Sequence, residues 1–235
     1  MPEISVVILC FGAGKKIYNF VNKTVKLLDK FVESWEIVLV GNYYKGTEDK
    51  TPEIVRKIAS EHEHIRAVTM PKQGRMGWDA KSGLKEAAGK NICLIDGDEQ
   101  MSYRDIIRVY RKITRNDLDL VTTYRAVRYD GLMRRITSFV YNLLFKMLFF
   151  GIQSRDINSK PKILKKEAYA KMELESNDWF LDAEIMIQAR RLKLKIAEIP
   201  AKFYKCRYRE SFVDLNSVFE FLKNMSIARV KEMFK

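Results

Sequence analysis

Four short apolar runs alternate with helix-patterned segments over residues 1–96, and this alternation limits the chain to very few architectures. Ile4 to Leu9 is a β-branched run with the character of a buried strand. Lys16 to Phe31 has helical spacing at Ile17, Phe20, Val21, Val25 and Leu28. Glu36 to Val40 gives a second strand. Thr51 and Pro52 serve as N-cap and first helical residue of a helix reaching Ser60. Ile65 to Met70 is a third strand, a Gly-rich stretch follows, and Asp79 to Ala88 is a helix. Asn91 to Ile95 is a fourth strand that ends at Asp96. Such repeats build a mostly parallel sheet flanked by helices, an α/β fold. Ligands of these sheets lie beyond the carboxyl ends of the strands, so the residues after each strand are the ones to inspect.

The remainder is less regular. Ser102 and Asp105 form a capping pair for a helix from Tyr103 to Arg115. Leu118 to Tyr124 is a strand, Arg134 to Phe150 a helix, Asn158 to Leu164 extended, Trp179 to Leu192 a helix and Ile196 to Ile199 a short strand. An amphipathic helix runs from Asp214 to the C-terminus. No repeat or linker divides the 235 residues, which suit one domain.

The formal net charge of +13 calls for an anionic partner: nucleic acid, a membrane surface or a phosphorylated substrate. Cys10, Cys93 and Cys206 have no metal or disulfide spacing; the first two sit in apolar strands as core thiols, which suits a reducing compartment. The opening Met-Pro-Glu followed by a short strand reads as lacking a secretory leader, and no apolar run reaches the length of a membrane span. His62 and His64 belong to a polar surface segment. Gly12-Ala13-Gly14-Lys15-Lys16 lacks the spacing and the Ser/Thr of a phosphate loop, and is a strand-to-helix turn.

The segment Leu94-Ile95-Asp96-Gly97-Asp98-Glu99-Gln100 carries chemistry. An apolar strand delivers two carboxylates at i and i+2 into the ligand crevice, and Gly97 permits a tight turn and close approach of a diphosphate. Hard cations such as Mg²⁺ or Mn²⁺ take carboxylate oxygens and share their other positions with substrate phosphates. An acidic turn that merely closes the strand is the plainer alternative.

With this context the chain resembles the family 2 glycosyltransferases of the GT-A fold, and among them the polyprenyl-phosphate (dolichyl-phosphate) sugar synthases. D-x-D-x-Q before a helix is similar to their metal motif, which implies Asp96, Asp98 and Gln100 as metal–diphosphate residues. Pro71 to Gly77 resembles their Gly-rich segment, implying donor contacts at Lys72, Gly74 and Gly77, and Ala87-Ala88-Gly89 also fits. Arg125 stands where the family has an Arg after its fifth strand. Arg134-Arg135 with the following apolar helix, then Arg155 to Lys160, resemble the interface helix and acceptor loop. Trp179 to Glu184 with Ala197 to Pro200 resembles the late helix–strand unit, and Arg207 to Ser211 the basic loop. Two strand ends depart from the pattern. Leu9-Cys10-Phe11-Gly12 lacks the usual Pro and acidic residue, and Val40-Gly41-Asn42-Tyr43-Tyr44 replaces Asp-Asp-Gly-Ser. These positions hold base and ribose in the family, which implies Phe11, Gly12 and Asn42 as donor contacts, with Tyr43 or Tyr44 able to stack.

The resemblance implies a single GT-A domain over 1–235, with a nucleotide-binding half at 1–125 and an acceptor- and membrane-facing half at 126–235. It implies metal-dependent, inverting transfer of a hexose from GDP-mannose or a UDP-hexose to a polyprenyl phosphate. Arg125, Arg134 and Arg207 are candidate phosphate contacts, and Asp182 is the candidate base if the acceptor is a hydroxyl instead. The apolar helix from Arg134 is either a core helix or one lying in a membrane interface. The expected setting is the cytoplasmic face of a membrane, attached peripherally, with integral membrane proteins as further partners and no nucleic acid. A nucleotidyltransferase, a nucleic-acid-binding protein and an inactive membrane-binding relative are the rival readings.

Overall fold

The computed structural model describes residues 1–206 and 215–233. Its strands are β1 (Ile4–Leu9), β2 (Trp35–Val40), β3 (Ile65–Val68), β4 (Asn91–Asp96), β5 (Leu120–Arg128), β6 (Lys162–Lys165) and β7 (Ile196–Phe203). They form one sheet in the order β3-β2-β1-β4-β6-β5-β7. All neighbours pair in parallel except β6, which runs antiparallel to β4 and β5. The helices are α1 (Ile17–Phe31), α2 (Thr51–Glu61), α3 (Met76–Glu86), α4 (Arg104–Arg115), α5 (Leu132–Leu148), the short α6 (Lys166–Tyr169), α7 (Leu181–Arg191) and α8 (Leu215–Met233).

The alternation of side chains along the strands produces two cores. Ile4, Val6 and Ile8 of β1 pack with Phe20 of α1, Ile58 of α2 and Ile106 of α4 on one face. Val7 and Leu9 pack with Leu84 of α3, Phe145 of α5 and Met186 of α7 on the other. Cys10 and Cys93 are buried in the first core, and burial raises both thiol pKa values.

Several boundaries differ from the sequence reading. Helix α3 begins at Met76, not Asp79, although Arg75 provides no side-chain cap. Carbonyls from a distant loop do the capping: Arg75 N and Trp78 N donate to Asn177 O, and Gly77 N donates to Asp178 O. The Ser102–Asp105 capping box does not form; Ser102 Oγ accepts from Arg104 N, while buried Asp105 pairs with Arg108 at 2.5 Å. Strand β7 runs through Pro200, which an edge strand tolerates because it needs no N–H on its open side. Helix α5 is not a core helix: only Phe145 is fully buried, while Met133 and Phe139 are 74% and 68% exposed. Among the described residues, no helix is long and apolar enough to cross a membrane.

Gly89 fits the turn into β4 because nothing larger can. Its N–H donates to Ser5 Oγ at 2.6 Å, and a Cβ would stand 2.6 Å from Ser5 N and 2.8 Å from the Ile4 carbonyl carbon. Backbone on the neighbouring strand cannot move aside without disturbing β1. Gly89→Ala should therefore lower unfolding free energy by about 1–3 kcal/mol, read from the urea midpoint.

Candidate active site

The strand order reverses between β1 and β4, and a cavity of about 900 Å³ opens beyond their carboxyl ends. It extends from Phe11, Tyr44 and Lys72 on one side, past Asp96, Asp98 and Gln100, to Arg125, Arg134, Lys160 and Asp182. Its far wall is apolar and is built by α5 and α8, with Met133, Ile136, Val140, Phe221 and Leu222. Tyr141 of α5 and Phe221 of α8 meet edge to face at 5.2 Å.

Asp96 ends β4 and Asp98 follows the turn. Asp98 Oδ1 accepts from Gln100 N at 3.1 Å, and Gln100 Nε2 donates to Tyr204 O at 3.0 Å, which ties the acidic turn to the end of β7. Gly97 packs against β1 rather than facing a ligand: its N–H donates to Leu9 O, and a Cβ would lie 2.7 Å from Ile17 Cδ1 and 3.1 Å from Leu9 O. Among the described residues no group of three or more His, Cys, Asp or Glu could hold a metal. Two carboxylates on a cavity wall still suit Mg²⁺ or Mn²⁺, which take few protein oxygens and complete their shell with water and substrate phosphate.

The sequence candidates divide into those on the wall and those behind it. Phe11, Lys72, Asp96, Asp98, Gln100, Arg125, Arg134 and Asp182 line the cavity. Asn42 does not. It is fully buried; its Nδ2 donates to Asp79 Oδ1 and Ser82 Oγ, and its Oδ1 accepts from Met70 N. It thus supports the wall and has no hydrogen-bonding capacity turned to a nucleotide. Gly74 and Gly77 also sit behind the wall. Cβ atoms there would stand 2.5 Å from Asn177 O and Asp178 O, so these glycines admit the loop before α7. Gly12 has φ +66 and donates its N–H to Asp49 Oδ2 at 3.3 Å, while Gly14 N donates to Thr51 Oγ1; the loop after β1 is tied to the start of α2. Arg207 lies outside the described residues.

Two ion networks organise the wall. Lys72 pairs with Asp79 and lies 4.1 Å from the Phe11 ring centroid and 5.4 Å from that of Tyr44. Deeper in, Asp182 is clamped by Lys160 at 2.7 Å and Lys162 at 2.8 Å, and Lys160 also reaches Asp96 at 3.5 Å. Burial alone would raise the Asp182 pKa, but the two ammonium groups outweigh it and hold the carboxyl below its usual range. A carboxylate so held is a poor proton acceptor. Lys160, which the sequence reading placed in the acceptor loop, instead stands beside Asp96. The signal available was Lys160-Pro161-Lys162: two lysines at i, i+2 entering a buried strand need a carboxylate, and Asp182 stands between the apolar Leu181 and Ala183 at the start of α7.

Arg125 forms a forked pair with Asp156, from Nε at 2.6 Å and Nη2 at 2.7 Å, and reaches Ser138 Oγ at 3.1 Å. Most of its guanidinium is thereby engaged within the protein. Burial pushes the Asp156 pKa up and Arg125 pulls it down further, leaving it lowered. A lowered native pKa contributes stability above the unfolded carboxyl range, and that contribution disappears as pH falls through the native value. Asp156→Asn should therefore melt lower than the parent near neutrality. Its melting temperature should fall less steeply between about pH 5 and pH 3, a contrast that calorimetry at each pH reads directly.

The family described as glycosyl transferase family 2 matches residues 5–169. The chain is similar to glycosyltransferase AglD of Haloferax volcanii, 27% identical over 84% of this chain and 32% of that protein. It is 24% identical to the dolichyl-phosphate beta-glucosyltransferase of Saccharomyces cerevisiae over 97% of this chain and 74% of that one. It is 26% identical to the dodecaprenyl-phosphate galacturonate synthase of Rhizobium johnstonii over 73% and 50%. The chain thus spans a third to three quarters of the length of these relatives. Among solved structures, glucosyl-3-phosphoglycerate synthase of Mycobacterium tuberculosis with Mn²⁺, UDP-glucose and phosphoglyceric acid superposes with a TM-score of 0.75 at 20% identity, covering 97% of this chain and 79% of that one. This likeness establishes the GT-A fold.

Proposed function

This chain belongs to glycosyl transferase family 2, and from that membership we propose that it moves a hexose from a nucleotide-sugar to the phosphate of a polyprenyl phosphate, with inversion. One observation carries the reading. A single cavity joins the carboxylates Asp96 and Asp98, with Lys160 beside them, to the cations Arg125 and Arg134, and then to the exposed apolar faces of α5 and α8. An acceptor with an anionic head and a greasy tail suits that sequence of surfaces. The names of the yeast and Rhizobium relatives, both polyprenyl-phosphate enzymes, support the same class.

In this reading Asp96 and Asp98 hold Mg²⁺ or Mn²⁺, with Gln100 bracing the turn, and a bound divalent cation supplies Lewis-acid neutralisation of the leaving diphosphate. Phe11, Tyr44 and Lys72 flank the nucleotide. Arg134 and, outside the described residues, Arg207 meet phosphate oxygens, and Arg125 orients the acceptor loop through Asp156. An oxygen of the lipid phosphate forms the new bond to the anomeric carbon as the bond to the diphosphate breaks, and nucleoside diphosphate departs. That phosphate is ionised near neutral pH, so the step needs no strong base, which agrees with an Asp182 already neutralised by two lysines. Residues 1–125 carry the donor side and 126–235 the acceptor side, lying peripherally on the cytoplasmic face of a membrane. Phe139 and Phe150, at 68% and 75% exposure, provide apolar contact with lipid.

The test is transfer from labelled UDP-glucose, UDP-galacturonate and GDP-mannose, with Mn²⁺ or Mg²⁺, to polyprenyl phosphate or to polyprenol in detergent. Product on the phosphate alone supports the proposal. Equal transfer to the alcohol, or transfer only to soluble glycans, overturns it. Asp98→Ala should leave the melting temperature of the free protein within about 2 °C of the parent, as surface changes do. It should also abolish the metal-dependent rise in melting temperature that nucleoside diphosphate produces.

A further inference from the structure

We propose that Lys160 is a resident cation of the donor site: it balances Asp96 while no divalent metal is bound, and it makes metal and nucleoside diphosphate bind as a pair rather than singly. The inference rests on the reading of Asp96 and Asp98 as the metal-binding carboxylates.

The geometry is specific. Lys160 Nζ lies 3.5 Å from Asp96 Oδ2 and 2.7 Å from Asp182 Oδ2, and the lysine side chain is 5% exposed. Asp182 is itself fixed from the other side by Lys162 at 2.8 Å. The ammonium therefore has a defined seat, with Asp182 on its protein side and Asp96 on its cavity side. A surface lysine could swing into water when a second cation arrives. This one is packed beneath the surface, and departure would leave the Asp182 pair half broken in a dry setting.

A divalent cation bound to Asp96 would share one carboxylate with this ammonium. Like charges so close repel, the more so because the ammonium itself is buried and only partly screened. An anion placed between them removes the repulsion, and a diphosphate has oxygens for both the metal and the ammonium. Lys160 lines the cavity, so it faces the space such an anion would enter. Metal alone then meets an occupied carboxylate. Diphosphate alone meets Asp96 and Asp98. Together each compensates the other, and by linkage the gain in affinity is equal in both directions. Lys160 is in this sense a positioning residue that sets the coupling between two ligands. Lys162, bonded to Asp182 and to the carbonyls of Ile157 and Ser159, is a purely structural lysine.

Mn²⁺ binding, followed by electron paramagnetic resonance with and without UDP or GDP, tests this on the parent chain, Lys160→Met and Lys162→Met. In the parent, one of the nucleotides should tighten Mn²⁺ by roughly tenfold or more. Lys160→Met, which keeps the stem and removes the charge, should bind Mn²⁺ alone several-fold more tightly and lose most of the coupling. Lys162→Met should melt lower yet keep the coupling, because Lys160 still stands beside Asp96. Parental coupling retained in Lys160→Met overturns the proposal. So does a parent chain that binds Mn²⁺ equally well with and without a bound nucleotide, a result that needs no variant to fold. A parent chain that binds neither Mn²⁺ nor nucleotide removes the donor-site reading itself, and this inference with it.

Discussion

A carboxylate buried between two ammonium groups joins the two halves of this molecule. Asp182 enters on α7, Lys160 and Lys162 enter on the approach to β6 and on the strand itself, and Asp96 ends β4 in the first half. None of the three buried charges is tolerable alone, since an uncompensated ion in a dry interior costs several kcal/mol. Strand β6 runs antiparallel between β4 and β5, so the network fixes the one strand that interrupts the parallel sheet. The loop ahead of α7 caps α3 through the carbonyls of Asn177 and Asp178, and thereby closes the second half onto the first. The cavity exists because these contacts hold α7, β6 and α3 around the switch point between β1 and β4.

The same arrangement explains a cavity with both charge signs on its wall. Asp79 pairs with Lys72, Asp182 with Lys160 and Lys162, and Asp156 with Arg125. Each pair leaves the wall organised before any ligand arrives, so little side-chain entropy remains to be lost on binding. Asp96 at the end of its strand and Arg134 on α5 are less deeply held charges on the same cavity wall.

The first half of the fold was legible because its order is local. β-branched runs of four to six residues separated by amphipathic segments have one stable solution, and strands β1, β2 and β4 fall within a residue of the sequence reading. Asp96 and Asp98 were legible for the same reason: a strand end determines where its next two side chains project. What failed depended on distant partners. The start of α3 is capped by a loop 100 residues away, and Gly74 and Gly77 answer to that loop instead of to a ligand. Asn42 looked like a polar group at a strand end, yet its amide is buried and bonded to Asp79, Ser82 and Met70. For the apolar helix after Arg134 the sequence left a core and an interface placement open, and the fold decides it by leaving Ile136, Phe139, Leu143 and Met147 exposed.

The departures at the first two strand ends form one connected unit rather than scattered losses. Where the family resemblance implied acidic residues at the end of the second strand, this chain has Asn42, which holds Asp79 by a 3.0 Å hydrogen bond. Asp79 in turn holds Lys72, and burial raises the Asp79 pKa only in part against the opposing pull of that ammonium. Lys72 is set against the faces of Phe11 and Tyr44, whose rings meet edge to face at 5.7 Å. The carboxylate nearest this corner therefore sits on α3, one layer behind the wall, and the corner itself is lined by two aromatic rings and the largely buried Lys72. Rings and a cation recognise a flat π system by stacking and by its carbonyl oxygens, with less dependence on the N–H pattern that a carboxylate would read. On the proposed reading, a base held at this corner is retained by stacking, and discrimination between donors falls to the sugar end of the cavity.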